Sequence, residues 1–222
     1  KYVDYLIRHE YIVMKGLKEI SLFCPHFCKL IGIIKCQVNS RLEENSNPLE
    51  CLSTKKVLTD VLLSEYISNS KKFSRYVQNP LFPDKIIYSI IKQVIMGLII
   101  AQRFKKFTHY DLHSCNIMIK KCSYDTVFLY ILDNVQIYIP TYGYYPVIID
   151  FGFSYIDDMN GENLLATMSH TDKGFTSDRF DQIADPKLFL ITVMSEIENF
   201  RNNKNSHLFS NVVQNLYNDL NI

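Results

Sequence analysis

Glycine is scarce in this sequence: there are seven in 222 residues, at positions 16, 32, 97, 143, 152, 161 and 174, and no two are spaced as G-x-G. A Walker A loop, whose glycines let backbone amides cradle a phosphate, is therefore absent. An excess of one charge is missing too. Lys+Arg 24 against Asp+Glu 23 leaves a formal +1, so no global field recommends nucleic acid or an anionic membrane surface as a partner. The longest apolar stretch, Ile86 to Ala101, is interrupted by Lys92 and Gln93; it reads as a packed helix, and no transmembrane segment is expected. The six cysteines come without a secretory leader, which points to reduced thiols in a cytosolic setting. Cys24, His26, Cys28 and Cys36 invite a zinc reading, but their spacing fits no common finger pattern and a second ligand pair is missing. What is present is apolar mass. With 47% hydrophobic and 21% charged residues the chain can bury a core, as one large domain or two small lobes, and disorder, collagen and a disulfide scaffold are excluded. Lys1 stands where an initiator methionine would, so the expectation is a processed product or an excerpt of something longer.

From Tyr2 to Lys18 the residues Val3, Leu6, Ile7, Val13, Met14 and Leu17 recur at helical spacing. Glu10 falls on the same face. It either turns to solvent at the helix edge or meets a cation from outside the helix, because a buried unpaired carboxylate is costly. Two β-like runs, Phe27 to Val38 and Val57 to Ile67, flank a polar surface loop and are expected to pair. After Ser68 the chain is polar to about Pro83, and a long core helix then starts near Asp84. Ile117 to Lys120 alternates like a short strand. Val127 to Leu132 and Gln136 to Ile139 flank Asp133-Asn134, which reads as an inserted hairpin. Val147-Ile148-Ile149-Asp150 is a short buried strand ending in a carboxylate, followed by an irregular segment up to Asp185. Asp185-Pro186 reads as an N-cap acid with proline at the first helical position, opening a helix that is apolar nearly all round from Leu188 to Met194.

Two motifs carry chemistry. His109-Tyr110-Asp111-Leu112-His113-Ser114-Cys115-Asn116 has the spacing H-x-D-L-x-x-x-N, and Asp150-Phe151-Gly152 is D-F-G at the end of an apolar strand. Taken singly, Asp111 and Asn116 could be turn-forming residues. Together, in this order and context, the motifs resemble the protein-kinase superfamily. Phosphoryl transfer needs little covalent help, so the protein mainly has to hold Mg²⁺ on the phosphates of ATP and orient the attacking hydroxyl. Mg²⁺ takes one or two protein oxygens, which suits Asp150 and the Asn116 amide, and by the resemblance Asp111 would accept or align the hydroxyl proton.

The resemblance extends upstream. The stretch around Glu10 resembles the kinase helix C, whose glutamate pairs with a third-strand lysine, and Leu62-Leu63-Ser64-Glu65-Tyr66-Ile67 resembles the fifth strand and hinge. This implies Ser64 as gatekeeper and the backbone of Glu65 and Ile67 as adenine contacts. Asp185 resembles the acid that opens helix F and ties down the catalytic loop, a role compatible with capping. Departures accompany these matches. No glycine-rich loop is present, no lysine lies far enough upstream of Glu10, A-P-E is absent, and the C-terminus leaves room for about two helices after helix F. Tyr110 stands where regulated kinases carry arginine. His113 stands where Ser/Thr kinases carry a lysine for the transferred phosphate; it either assists that phosphate with a fractional charge or packs within the loop.

The expectation is thus an α+β, protein-kinase-like two-lobed fold. Residues 1–67 would form a partial N-lobe with helix C, strands 4–5 and the hinge start, and 68–222 a mainly helical C-lobe with a hairpin inserted at about 123–146. Its motifs look most like those of kinase-like proteins of large DNA viruses, and abundant Ile, Asn, Lys and Tyr agrees with an AT-rich genome. The resemblance implies Mg²⁺- and ATP-dependent phosphorylation of protein Ser/Thr hydroxyls, catalysed by Asp111 with His113 and Glu10, in a host cytoplasm or a packaged virion. Nucleotide and protein substrate are the implied partners, with no nucleic acid and no membrane. D-L-H-x-x-N also fits a small-molecule phosphotransferase of the choline- or aminoglycoside-kinase kind, and the missing glycine loop and lysine fit a pseudokinase binding module.

Overall fold

A computed structural model describes residues 2–37, 58–157, 179–201 and 203–218. The polar loop expected at 39–56, with the adjoining strand ends Val38 and Val57, and most of the irregular segment before Asp185 lie outside the described residues. The architecture is α+β, with small antiparallel sheets laid around helices.

The first helix, α1 (Tyr2–Leu17), turns Val13, Met14 and Leu17 into the core, as its spacing requires. It packs on an antiparallel pair, β1 (Leu30–Gln37) and β2 (Leu58–Ser64), in register from Gly32 opposite Leu63 to Gln37 opposite Leu58, with a register shift between Leu30, opposite Ser64, and Gly32. A short strand, β3 (Lys71–Lys72), leads into a one-turn helix, α2 (Phe73–Val77). The polar reading of this stretch needs correcting, because Phe73 and Val77 are fully buried. The long helix α3 (Asp84–Lys105) starts where expected and is the centre of the core, burying Ile87, Ile90, Val94, Leu98 and Ala101. It stops at Lys106, whose left-handed φ of 48° returns the amide to Gln102 O.

The chain then runs through a single 3₁₀ turn, Ser114–Asn116, into β4 (Ile117–Lys121), which pairs with β3 on one side and β7 (Tyr144–Ile148) on the other. Between β4 and β7 sits the hairpin β5 (Val127–Leu132) and β6 (Val135–Pro140). Its two linking residues, Asp133 and Asn134, have φ of 48° and 66°, the mirror-image turn that Asp and Asn tolerate best after glycine. The hairpin is anchored inward by His26, which donates from Nδ1 to Pro146 O at 3.0 Å and accepts at Nε2 from Tyr130 Oη at 2.7 Å. Both nitrogens of this member of the Cys24–Cys36 group are thereby committed. Gly97 makes the fit possible, since a Cβ there would stand 3.1 Å from His26 Cβ.

Helices α4 (Ala184–Arg201) and α5 (Lys204–Asn218) complete the described chain. The buried Arg201 guanidinium donates to the carbonyls of Tyr76, Val77, Asn79 and Phe82 and to Asp84, fastening the α2–α3 connection to the end of α4. Two expectations for α4 are corrected. Leu188 and Ile191 are 37% and 38% exposed, so the helix is not buried on every side. The amides of Ile183, just ahead of the helix, and Ala184, its first residue, are held by Asp181 Oδ1 at 2.8 and 3.1 Å, so Asp181 is the capping acid and Asp185 is free for another task. Among the described residues, no helix is long and apolar enough to cross a membrane.

Candidate functional site

A cleft of about 480 Å³ opens between the α1/β1/β2 unit and β4/β7. It is lined by Glu10 and Met14 of α1, Cys28 ahead of β1, Ser64 to Ile67 at and after the end of β2, Met118 of β4, and Ile149 to Phe151 after β7. Glu10, Ser64, Glu65, Ile67 and Asp150, widely spaced in the chain, are therefore brought together. Antiparallel pairing does this: β1–β2 carries the Ser64–Ile67 segment to Cys28, and Cys28 N donates to Ile148 O at 2.9 Å, which seats that segment against the end of β7. Glu65 N is committed to Lys29 O at 2.9 Å and its carboxylate to Lys29 N at 3.1 Å. The Glu65 carbonyl meets only the Cys28 thiol, at 3.9 Å, and Ile67 N makes no hydrogen bond among the described residues. The Glu65 carbonyl and the Ile67 amide, on two residues that line the cleft, thus keep hydrogen-bonding capacity among the described residues. Burial pushes the Cys28 thiol pKa up, so this cleft cysteine is not an activated nucleophile.

The 109–116 loop lies against the floor of the same cleft. Ile149 N donates to Asn116 O and His109 Nε2 donates to Ile149 O, both at 3.0 Å, which clamps the residue before Asp150. Asn116 Nδ2 donates to Asp111 O at 2.9 Å and to Asp111 Oδ2 at 3.1 Å. The amide nitrogen is thus used up within the loop, and the amide oxygen has no partner among the described residues. Asp185, fully buried, accepts from His109 N at 2.6 Å and Tyr110 N at 2.8 Å, so the inward acid of α4 holds the loop from below. Its pKa is pushed up to about 7 by burial, which outweighs the two amide bonds favouring the ionised form. Tyr110 and Asp150 have φ of 64° and 67°, a region that costs a non-glycine residue roughly 1–2 kcal/mol. Such strain persists only where surrounding contacts over-determine it, and here it falls on one residue within each of the two motifs.

Helix α1 touches this segment at three points. Phe151 N donates to Glu10 Oε1 at 3.2 Å, the buried His9 donates from Nε2 to Ser154 O at 2.7 Å, and a Cβ on Gly16 would come within 2.6 Å of Ile156 Cδ1. The Glu10 pKa is raised, first by burial and then by the nearby Asp150 charge, while burial lowers that of His9. Among the described residues no cation pairs with Glu10.

Expected site residues thus divide into two groups. Glu10, Ser64, Glu65, Ile67 and Asp150 line the cleft, while Asp111, His113 and Asn116 sit in the adjoining loop. His113 turns toward Asp111, with Nε2 3.7 Å from Oδ1. Sequence reasoning missed His9 and Ser154, whose contact spans 145 residues and leaves no local signal. An oxygen-only cation fits the donor set here, since Asp150 and the Asn116 amide oxygen are hard ligands and Mg²⁺ asks for only one or two from protein.

No family model matches the chain. Uncharacterized protein 098R of Invertebrate iridescent virus 6 is 34% identical over 222 aligned residues, taking in 84% of this chain and 37% of that protein. Uncharacterized protein 038R of Invertebrate iridescent virus 3 is 33% identical over 200 residues, 86% of this chain and 36% of that protein. A serine/threonine-protein kinase haspin homolog of Arabidopsis thaliana is 38% identical over 77 residues, which is 35% of this chain and 12% of that protein. The chain therefore has iridovirus proteins as relatives and spans little more than a third of their length.

Proposed function

We propose that this chain forms most of a protein-kinase-like phosphotransferase domain of a viral protein, with the cleft as its nucleotide site and a protein Ser/Thr hydroxyl as acceptor. In this reading residues 1–67 belong to the smaller lobe and 68–222 to the larger. The observation that carries it is the wiring of Asp111, Asn116 and Asp150 through one hydrogen-bonded loop to the floor of a cleft that also gathers Glu10 and the Ser64–Ile67 segment. The partial likeness to a haspin kinase homolog supports the same class.

The chemistry follows from the atoms left available. Glu65 O and Ile67 N, an acceptor and a donor two residues apart, suit the edge of an adenine ring. The Asn116 amide oxygen and the Asp150 carboxylate would hold Mg²⁺, which when bound neutralises charge developing on the phosphates. Asp111, fixed by Asn116 Nδ2, keeps lone pairs for the acceptor hydroxyl, aligns it and takes its proton. Glu10, half-buried beside Phe151, awaits a cation that the described residues do not supply.

Titration calorimetry with Mg-ATP tests the first part, with weak binding expected for the chain by itself and Asp150→Asn removing its metal dependence. Transfer of labelled γ-phosphate by the protein that contains this chain, to generic proteins against amino alcohols and aminoglycosides, tests the second. Asp111→Asn should abolish transfer while nucleotide affinity is kept. A second reading, a pseudokinase binding module, is favoured by the uncompensated Glu10 carboxylate. It predicts nucleotide or partner binding with no transfer to any acceptor.

A further inference from the structure

We propose that His113 is a positioning residue that orients the Asp111 carboxylate, and that it does not contact the transferred phosphate. This rests on the phosphotransferase reading and concerns one side chain in it. His113 is extended, with φ −141° and ψ 172°, and caps the 3₁₀ turn Ser114–Asn116 by accepting at Nδ1 from Cys115 N at 3.2 Å. That bond fixes the tautomer. An Nδ1 that accepts a hydrogen bond carries the lone pair, so the ring proton of the neutral imidazole sits on Nε2. Nε2 lies 3.7 Å from Asp111 Oδ1, while Asp111 Oδ2 accepts from Asn116 Nδ2 at 3.1 Å. Asn116 Nδ2 thus holds one oxygen of the carboxylate by a hydrogen bond, and the His113 ring N–H stands just beyond hydrogen-bond distance of the other, where it attracts that oxygen electrostatically.

The residue type makes the same point. Ser, Asp and Asn cap such a turn well, so capping alone does not call for histidine. Only the imidazole caps with one nitrogen and presents a donor to Asp111 with the other. Both side chains are partly open, at 35% and 39% exposure, so a hydroxyl can still reach the remaining lone pairs of Asp111. With Nδ1 taken by the cap, Nε2 is the one ring nitrogen that remains, and it lies beside Asp111.

Two substitutions separate the two nitrogens. His113→Asn keeps an acceptor near the Nδ1 position and caps the turn, but is too short to reach Asp111. His113→Gln places an amide N–H near the Nε2 position. In the phosphate-transferring protein, His113→Asn should leave the thermal midpoint and KM for ATP unchanged and lower kcat by up to about 100-fold, the scale of a misplaced catalytic group. His113→Gln should recover most of that loss, whereas His113→Lys, which supplies a full charge in place of geometry, should not. Recovery by lysine, or full activity in His113→Asn, would overturn the proposal. Imidazole ¹⁵N NMR gives a reading that needs no turnover: the Nε2–H tautomer is expected, with its Nε2 resonance moved by Asp111→Ala. An Nδ1–H tautomer, or a resonance indifferent to that change, overturns the contact itself. If the parent protein transfers phosphate to no acceptor while the NMR contact is present, the phosphotransferase reading fails and takes the catalytic role of His113 with it.

Discussion

The two walls of the cleft hold their polar groups differently. On the loop wall, buried side chains are doubly engaged: His109 donates to Ile149 O and accepts from Asp111 N at 3.3 Å, and both oxygens of Asp185 take amides of the loop. On the α1 wall the side chains are half engaged. Buried His9 uses one nitrogen and leaves Nδ1 without a partner among the described residues, and half-buried Glu10 has a single amide bond and a pKa raised by burial. A buried polar group without its full set of partners costs free energy that the rest of the fold must offset. The loop wall is therefore set by the chain's own bonds, while the α1 wall carries a charge requirement that the described residues leave unmet.

The sharpest way to break this difference is at Asp185. Asp185→Ala strands the amides of His109 and Tyr110 and removes what holds Tyr110 at positive φ. Each orphaned donor costs about 1–3 kcal/mol, so a loss of about 3–5 kcal/mol is expected in urea denaturation, together with loss of Mg-ATP binding. An unchanged urea midpoint would show that the loop wall is not held from α4.

The same residue gives a pH signature. Its folded pKa, about 7, lies above the ordinary carboxylate value of 3.8, so between pH 4 and 7 the folded chain keeps a proton that the unfolded chain has released. Stability from this group is full below pH 4 and lost as pH rises through 7, at up to about 1.4 kcal/mol per pH unit. Asn is a neutral stand-in for the protonated acid, so parent and Asp185→Asn should lie closest at pH 4 and separate toward pH 7, the parent losing stability relative to the variant. Histidines act in the opposite sense. His26, held down to about 4 by burial, stays neutral in the fold while the unfolded chain protonates below 6.5, so its contribution is lost as pH falls from 6.5 toward 4. A gap between parent and Asp185→Asn that stays constant from pH 4 to 7 would remove the buried proton.

On the α1 wall the expectation reverses. Glu10→Gln removes a carboxylate that burial and Asp150 both disfavour, so at pH 8 it should leave the chain as stable or raise stability by up to about 1 kcal/mol. If the intact protein supplies a cation to Glu10, the same change should instead lower phosphoryl transfer. A substantial loss of stability in the isolated chain would mean that Glu10 is already paired within it.

Much of this geometry was legible where the chemistry is local. Periodicity located α1 and α3, and Asp133-Asn134 marked its hairpin because those residue types tolerate left-handed φ. Motif spacing brought Asp111, Asn116 and Asp150 into one expectation, and the cleft does gather Glu10 with the Ser64–Ile67 segment. What escaped was short or long-range. The five residues of α2 are too few to show a period, although Phe73 and Val77 are fully buried. Asp185-Pro186 reads as a cap from sequence, yet the amides of His109 and Tyr110 compete for that carboxylate and Asp181 caps instead. The left-handed backbone of Tyr110 has no signature in its residue type, and that of Asp150 none in its position at the end of an apolar strand.

The smallest effect concerns how α1 is attached. Arg8 Nε lies 3.6 Å from Asp60 Oδ2, linking the helix to β2, and this is the pair a reader of surface charges would credit with holding the wall in place. The Arg8 side chain is 59% exposed, so water and salt screen the attraction, and exposed pairs contribute only about 0–1 kcal/mol. The buried contacts of Val13, Met14 and Leu17, with the Glu10–Phe151 and His9–Ser154 bonds, hold the helix by a different means that salt does not weaken. Arg8→Ala should therefore shift stability by less than about 1 kcal/mol and leave Mg-ATP binding unchanged at both low and high salt. A marked fall in nucleotide affinity in this variant, relieved or deepened by salt, would move the attachment of α1 from its buried face to its surface and make the wall an electrostatically adjustable one.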